Sequence, residues 1–569
     1  MTSVFKTAGL RVEYDMKVPM RDGTRLSLDV YFPLGGGPWP VILIRTPYNN
    51  QMPALVTESA TFFAQHGFVV AAQDVRGRFD SDGEFTPWVN EYNDGFDTVE
   101  WIGSQDWCDD NIGMHGPSYV GNVQWQAASM GSKYLKTIVP RVIGDSLHES
   151  PQYQGGAFQL GWAALWSFFM DGRTMQDIGI YDWTRVFHTL PIRDLPELSG
   201  KDIAYYREWC DHPDYDEYWK FLAIKERYGD IGIPIMQIGG WYDFFTAGTF
   251  NNFVGMKNGG GTELARNNQR AIVGPWIHQA GGLSYAGDTD FGMDSTQDLL
   301  TAELAWFTRW LRGEENGADA EPPLKLFIMG SNEWRNENEW PLARTEFTPW
   351  YFHSGGSANS AMGDGLLSPA GSGTESSASA GEDNYTYDPM FPTPTKGGCN
   401  CCNPEVVEWG AYDQREVEAR SDVLVYTSEP LEQDMEVTGP VVVKLHAATD
   451  GRDTDFTAKL VDVHPDGHAL NLCDGIIRGR YREGTSEQKL LNPGETYEFT
   501  IDLWPTSNVF KAGHRVRVDI SSSNFPRFDR NPNTGNKWGV DAQLRAARQT
   551  VMHDATHASH ILLPIIPAG

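Results

Sequence analysis

Hydrophobic and polar positions alternate with a period of two from the start of the chain. Val12, Tyr14, Met16 and Val18 are separated by polar residues, Arg21-Asp22-Gly23 supplies a turn, and Leu26, Leu28, Val30 and Phe32 resume the alternation, which predicts a β-hairpin. The pattern then changes to short runs that are apolar throughout: Val41–Ile44, Phe68–Ala72 and Ile112–His115, separated by stretches long enough for helices. Strands apolar on both faces belong in a parallel sheet covered by helices on each side, so the class is α/β. Between about residues 146 and 230 the β-branched runs disappear and five of the twenty tryptophans are found (Trp162, Trp166, Trp183, Trp209, Trp219), which predicts a helical insertion. Strand candidates return at Ile235–Ile238, Ala271–Val273 and Leu324–Met329. Residues 354–384, rich in Ser, Gly and Ala, read as a surface loop or linker.

Beyond about residue 420 the signal is all-β. Tyr497, Phe499, Ile501 and Leu503 alternate with polar residues, as do Val516, Val518 and Ile520, and similar short runs lie at Val423–Tyr426, Val441–Val443 and Phe456–Val463. Such spacing fits a two-sheet sandwich or jelly roll. The expected organisation is an α/β domain in two parts, 1–145 and 231–345, a helical cap over 146–230, and a jelly-roll domain over 346–569. The length of 569 residues fits, at ~150 per domain.

Composition narrows the function. Acidic residues outnumber basic ones by 76 to 45, for a net charge of −31. A surface that negative repels phosphate backbones, so nucleic acid is not an expected partner. No apolar run approaches the ~18 residues of a membrane span, and the first residues lack an export signal, so no membrane partner is expected. The six cysteines do not form a disulfide framework. Cys399, Cys401 and Cys402 cluster, but without a second C-x2–4-C pair or adjacent histidines, so the expectation is buried reduced thiols, no metal, and the cytoplasm. A homodimer is compatible with all of this.

The chemistry centres on Gly113-Met114-His115-Gly116-Pro117-Ser118-Tyr119-Val120-Gly121, which reads as a strand, a small-residue turn and a helix. A serine on such an elbow is lifted above the sheet, with a helix N-terminus behind it to favour developing negative charge. Pro117 should keep Gly116 extended. The pattern is G-x-S-x-x-G, with Val120 where a small residue is usual, and a serine between glycines is more often an ordinary loop. Order along the chain changes the odds. A serine nucleophile needs a base and a carboxylate to orient it, and in α/β-hydrolases these follow as Ser, acid, His, each after a strand. Asp243 follows Ile235–Ile238, and His278 follows Ala271–Val273. Asp243 could instead cap a helix, His278 is one of fourteen histidines, and Asp145 is a second candidate for the acid. His115 should point into the packing.

Arg45-Thr46-Pro47-Tyr48, Asp74-Val75-Arg76-Gly77-Arg78 with Ser81-Asp82-Gly83-Glu84-Phe85, the Gly-Pro-Ser-Tyr-Val-Gly elbow and Asp453-Thr454-Asp455-Phe456 together resemble the cocaine esterase-like (CocE/NonD) hydrolases. These are relatives of the Xaa-Pro dipeptidyl peptidases and α-amino acid ester hydrolases. The resemblance spans essentially the whole chain. It implies an α/β-hydrolase domain with an inserted helical cap and a C-terminal jelly roll, a triad of Ser118, Asp243 and His278, and an oxyanion hole made by the Tyr119 amide and the Tyr48 phenol.

It also implies that Trp162 walls an aryl pocket, with Trp166 one helical turn on; packing in the cap core is the competing reading for both, and the stronger one for Trp166. The α-amino acid ester hydrolases hold a substrate ammonium with carboxylates, two of them just past the triad acid, where this chain has Phe245 and Thr246; Phe245 is expected, with Trp162 and Trp166, to contact the substrate. An unpaired ammonium in an apolar pocket is costly. The expected activity is therefore a serine esterase acting on an uncharged, bulky or aromatic acyl ester, with no cofactor. The alternatives are an amidase, acylase or dipeptidyl peptidase on the same triad, or a non-catalytic carbohydrate-binding protein.

Overall fold

The structure is a computed structural model describing residues 4–7, 9–279, 281–369 and 381–567. Eleven strands form the N-terminal sheet: β1 (Val4–Thr7), β2 (Leu10–Pro19), β3 (Arg25–Phe32), β4 (Trp39–Thr46), β5 (Val69–Asp74), β6 (Cys108–Pro117), β7 (Leu135–Arg141), β8 (Ile235–Gly240), β9 (Gln269–Gly274), β10 (Leu324–Ile328) and β11 (Glu333–Glu337). Their spatial order is β1-β2-β3-β5-β4-β6-β7-β8-β9-β10-β11. The pairs from β5 to β10 are parallel, and the antiparallel strands are confined to the two edges.

The apolar runs explain this arrangement. Val41, Leu43, Val69 and Ala71 enter one core cluster, whereas Ile42, Ile44, Val70 and Ala72 enter another on the opposite face. Each face is covered. Helices α1 (Glu58–Gln65) and α7 (Leu299–Arg312) contribute Phe63, Trp306 and Phe307 to the second cluster, while α2 (Glu91–Gly103), α3 (Tyr119–Ala128) and α6 (Thr246–Gly259) contribute Val99, Val123 and Phe253 to the first.

Between β7 and β8 the chain forms the helical insertion, with α4 (Leu160–Met170) and α5 (Ala204–Asp211) as its main elements. It also contains a small β-ribbon, Tyr153–Gln154 with Ala157–Phe158, that the composition did not indicate. The ribbon's turn is pressed against the C-terminal domain: a Cβ on Gly155 would lie 2.0 Å from the Ile476 carbonyl oxygen. Phe158 N–H donates to Asp529 Oδ1 at 2.8 Å, and Asp529 N–H returns a bond to the Phe158 carbonyl at 2.9 Å.

The C-terminal part is strand-rich and all-β, built on long strands such as Met435–Thr449, Asp455–Val463, Ala469–Arg478 and Tyr497–Phe510. Some neighbouring strands are consecutive, as in the Asp455–Val463 and Ala469–Arg478 hairpin, and others are distant in sequence, as where Met435–Thr449 pairs with His560–Ile566. The stretch expected to be a linker is only partly one. Leu366–Ser368 is a strand paired with Tyr351–His353 and Glu382–Tyr387 pairs with Ala547–Met552, because Leu367, Tyr385 and Tyr387 have apolar surface to bury; residues 370–380 lie outside the described residues. Among the described residues no helix is long and apolar enough to cross a membrane.

Two buried carboxyls tie the loop after β4 to the sheet. Asp74 accepts from Asn50 N–H at 2.8 Å, and Asp29 accepts from Gln51 Nε2 at 2.8 Å. Burial pushes Asp74 up to about 7 and Asp29 up to about 6, and each raises the other or is raised by a neighbouring carboxylate. A carboxyl raised above its unfolded value of 3.8 favours folding in its protonated form, so this contribution is full below about pH 4 and is lost as pH climbs from there to about 7. The thermal midpoint of the wild type should therefore fall over that window more steeply than that of Asp74→Asn; parallel pH profiles would contradict the assignment.

Candidate active site

Ser118 lies between the end of β6 and the start of α3, with φ 58° and ψ −128°. A positive φ is rare for a residue with a side chain, and here it turns Oγ away from the sheet and into the cleft. The turn is possible because its flanks have no side chains. A Cβ on Gly116 would lie 2.3 Å from Val120 Cγ1, and one on Gly121 would lie 3.0 Å from the Arg141 carbonyl oxygen. The departure from the usual spacing is thereby explained: Val120 occupies the room that Gly116 leaves. Gly116 is not in ordinary extended conformation, as Pro117 led us to expect, but at φ 135°, which glycine can adopt before a proline.

Asp243 and His278 follow β8 and β9. The two loops are locked together, since Trp241 N–H donates to the Gly274 carbonyl at 2.8 Å and Tyr242 N–H to the Trp276 carbonyl at 3.0 Å. His278 Nε2 is 2.9 Å from Ser118 Oγ, and its Nδ1 is 2.9 Å from Asp243 Oδ1. Asp243 is fully buried, and α6 begins only at Thr246 with Phe245 as its N-cap, so Asp243 does not cap it. Asp145 is not brought to His278; its Oδ2 accepts from Asn251 Nδ2 at 3.3 Å. His115 points into the packing, with Nδ1 2.5 Å from Glu303 Oε2 and the same carboxylate paired with Arg141.

Tyr48 reaches the site from the loop after β4. Its hydroxyl accepts from Trp166 Nε1 at 3.0 Å and lies beside Ser118, and burial raises the phenol above its usual 10.0, which keeps it a proton donor. Arg78 fixes that loop by donating from Nε to the Pro47 carbonyl at 2.9 Å and from Nη1 to the Met170 carbonyl, the last residue of α4, at 2.8 Å. The Tyr119 amide is the first of α3, so helix geometry supplies it no acceptor. The Tyr119 ring is anchored by its hydroxyl, which donates to Glu91 Oε1 at 2.8 Å; Glu91 in turn pairs with buried Arg45 at 2.6 Å. Arg78 and the Arg45–Glu91 pair were not expected as site supports, although Arg45 and Arg78 both stand in segments that carried the family resemblance.

Ser118 and His278 open into a cavity of about 920 Å³, whose wall includes Tyr48, Leu165, Trp166, Phe169, Ile178 and Leu300. Of the three expected pocket residues, Trp166 lines this cavity, while Trp162 and Phe245 do not. Trp162 stacks behind Trp166 with ring centroids 5.5 Å apart, and Phe245 packs against Gly144 and the His278 ring. The reading of Trp166 as core alone is thus corrected, since its indole both lines the cavity and holds Tyr48.

The C-terminal half also reaches the site, through Cys402, Asn403 and Pro404. The thiol expectation needs one correction: Cys401 and Cys402 are joined as a disulfide, whereas Cys108, Cys210, Cys399 and Cys473 are free and buried. Among the described residues two groups have cation-ligating atoms within 4.8 Å of one another: His278 with Cys401 and Cys402, and Asp462 with His464 and His514.

Residues 22–280 match the X-Pro dipeptidyl-peptidase (S15) family, and residues 316–562 match the X-Pro dipeptidyl-peptidase C-terminal non-catalytic domain. The chain is 41% identical to a cocaine esterase of Rhodococcus sp. (strain MB1 Bresler), covering 98% of both. It belongs to the cocaine esterase-like hydrolases of the S15 family. A solved α-amino acid ester hydrolase, at 26% identity, covers 97% of this chain and is itself covered to 96%, with a TM-score of 0.84. An aminopeptidase from a Thaumarchaeota archaeon shares the fold at a TM-score of 0.85 and 24% identity, over 98% of this chain and 97% of its own.

If the Tyr48 phenol serves the oxyanion, Tyr48→Phe should cost about 2.7–4 kcal/mol of transition-state stabilisation, a loss of ~100–1000-fold in kcat with KM little changed. Trp166→Phe, which keeps the ring but removes the N–H holding Tyr48, should lower kcat by up to about tenfold. Steady-state kinetics on one ester checks both, and a KM effect alone would refute the role.

Proposed function

We propose that this hydrolase cleaves carboxylic esters with an uncharged, bulky or aromatic acyl group, by acyl transfer through Ser118. The observation that carries the reading is the unbroken line from Asp243 through His278 to Ser118, at 2.9 Å for each link, opening on a cavity with an aromatic and aliphatic wall. Ser118 Oγ–H donates to His278 Nε2, and His278 Nδ1–H donates to Asp243. His278 takes the proton as Oγ attacks the carbonyl, Tyr48 and the Tyr119 amide hold the oxyanion, and His278 returns the proton to the leaving alcohol. Water then repeats the sequence on the acyl-enzyme.

The charged groups on the described cavity wall are mostly engaged elsewhere, which supports an uncharged acyl group; Arg141 is paired with Glu303. Phe245 and Thr246 are buried, and the Thr246 hydroxyl is spent on the Gly240 and Asp243 carbonyls. Glu149 in the cap is paired with Lys225 at 2.7 Å. Of the carboxylates on the cavity wall, Asp298 caps α7 through Thr301, and Glu58 is exposed at the start of α1. The cocaine esterase relative is named for an ester substrate, which agrees with this selection. The cytoplasm is the proposed compartment, since four of the six cysteines are free and buried and the one disulfide joins adjacent residues and cross-links no separate segments.

Ser118→Ala should abolish both ester turnover and labelling by a fluorophosphonate probe. A panel of neutral aryl, alkyl and α-aminoacyl esters with matching amides tests the selection. Neutral aryl esters should exceed matched aminoacyl esters in kcat/KM by at least about tenfold, the equivalent of ~1.4 kcal/mol. Faster cleavage of amides than of matched esters would overturn the reading in favour of an amidase.

A further inference from the structure

The loop that carries Cys401 and Cys402 is fixed against the active site. Asn400 Nδ2 donates to the Gly397 and Glu408 carbonyls at 3.0 and 2.7 Å, and Gly398 and Gly410 exchange backbone bonds at 2.7 and 2.9 Å. Cys399 Sγ donates to the carbonyl of Trp241, two residues before the triad acid, at 3.5 Å. The outcome is that both sulfurs and a ring nitrogen of His278 lie within 4.8 Å of one another, with Cys401 buried and Cys402 exposed on the cavity wall. Ligand atoms around a tetrahedral zinc, at ~2.0–2.3 Å from it, stand about 3.5 Å apart, so the two sulfurs, ~2.0 Å apart in a disulfide, must part by about 1.5 Å after reduction to hold one ion together with His278. Two thiolates and an imidazole form a soft donor set that selects zinc-like cations over magnesium or calcium.

We propose that Cys401 and Cys402, once reduced to the dithiol, form with His278 a three-ligand site for a thiophilic divalent cation, and that the cation switches the hydrolase off. In the disulfide both sulfurs are bonded to each other and the site does not exist. Reduction breaks the S–S bond with two electrons, and each sulfur takes a proton; cation binding then releases those two protons and uses the lone pair of the His278 nitrogen facing Ser118. That lone pair is the one that would accept the Ser118 proton, so the bound cation and catalysis exclude each other. The pair thus acts as a redox-gated inhibitory site built from a segment of the C-terminal half.

The test uses the full-length enzyme reduced with a trialkylphosphine, which becomes the phosphine oxide with oxygen from water, and then freed of reductant. Cadmium and zinc ions are titrated in turn against the reduced, reoxidised and Cys401→Ser/Cys402→Ser proteins. Two signals are read: the ultraviolet thiolate-to-cadmium charge-transfer band, and ester hydrolysis normalised to each protein's own rate without cation. The reduced wild type should develop the band and lose activity together, saturating at one cation per chain. The reoxidised protein and the double variant should bind at least ~100-fold more weakly. His278→Ala should weaken the cadmium titration although it turns nothing over, and Cys402→Ala, truncated at an exposed position, serves if the double variant does not fold.

Equal inhibition of the reduced wild type and the cysteine variants would overturn the proposal, as would a band without inhibition. The Asp462–His464–His514 group gives no thiolate band, so it cannot mimic the result. Only the inhibition arm rests on the proposed esterase activity; failure of that activity leaves the charge-transfer titration to decide the site on its own.

Discussion

The backbone of Ser118 is the constraint on which the rest of the site depends. A non-glycine residue at φ 58° carries a strain of about 1–3 kcal/mol and persists only where its surroundings over-determine it. Here they do. Ser118 N–H donates to the Arg141 carbonyl at 2.9 Å, which ties the elbow to the neighbouring strand, and the Ser118 carbonyl accepts from the amides of Gly121 and Asn122 at 2.8 and 2.9 Å. With Oγ fixed in this way, the placement of His278 and Asp243 reduces to how β8 and β9 align with β6 and β7. The parallel register of those strands sets that alignment, and the two apolar clusters on either face hold it.

The strands of the catalytic domain were legible because a residue run apolar on both faces has few homes other than the middle of a parallel sheet. The Ser118–His278–Asp243 hydrogen-bonded line was legible for a related reason: its members follow strand ends, and strand ends are visible in the pattern. What the pattern did not convey lies in contacts between segments far apart in the chain. Periodicity does not report that Trp166, on a helix, donates to Tyr48 some 118 residues away. Nor does it say that Cys402 faces the cavity, since a Gly- and Cys-containing loop has no hydrophobic period at all. Trp162 and Phe245 were expected in the pocket and sit behind its wall: Trp162 because side-chain direction on a helix turns by about 100° per residue, and Phe245 because at the N-cap of α6 its ring packs against Gly144 and His278.

The family motif Asp453-Thr454-Asp455-Phe456 illustrates a different point, that a recognisable segment need not be chemical. Asp455 and Asp529 both pair with buried Arg478 at 2.8 Å, and Asp453 pairs with Arg480 at 2.7 Å. Asn531 bridges Asp453 and Asp455 with bonds of 3.0 and 2.7 Å. Asp529 is also the residue that binds the cap ribbon through Phe158. Charges taken out of water must be paired in good geometry, and a cluster so satisfied permits one docking arrangement and penalises others. The motif therefore serves the seating of the cap on the C-terminal half.

In the oxyanion role proposed for Tyr48, that seating would bear on catalysis. A backbone amide is placed by its own strand or helix, whereas a phenol must be aimed, and Tyr48 is held by Trp166 on the cap and by Arg78, whose guanidinium joins the Tyr48 loop to the end of α4. A cap that swung open as a lid would remove the N–H that orients the phenol and pull on the carbonyls that Arg78 holds. Changes within the cap should accordingly act on the stability of the oxyanion as well as on binding, which couples selection of the acyl group to the rate of its transfer.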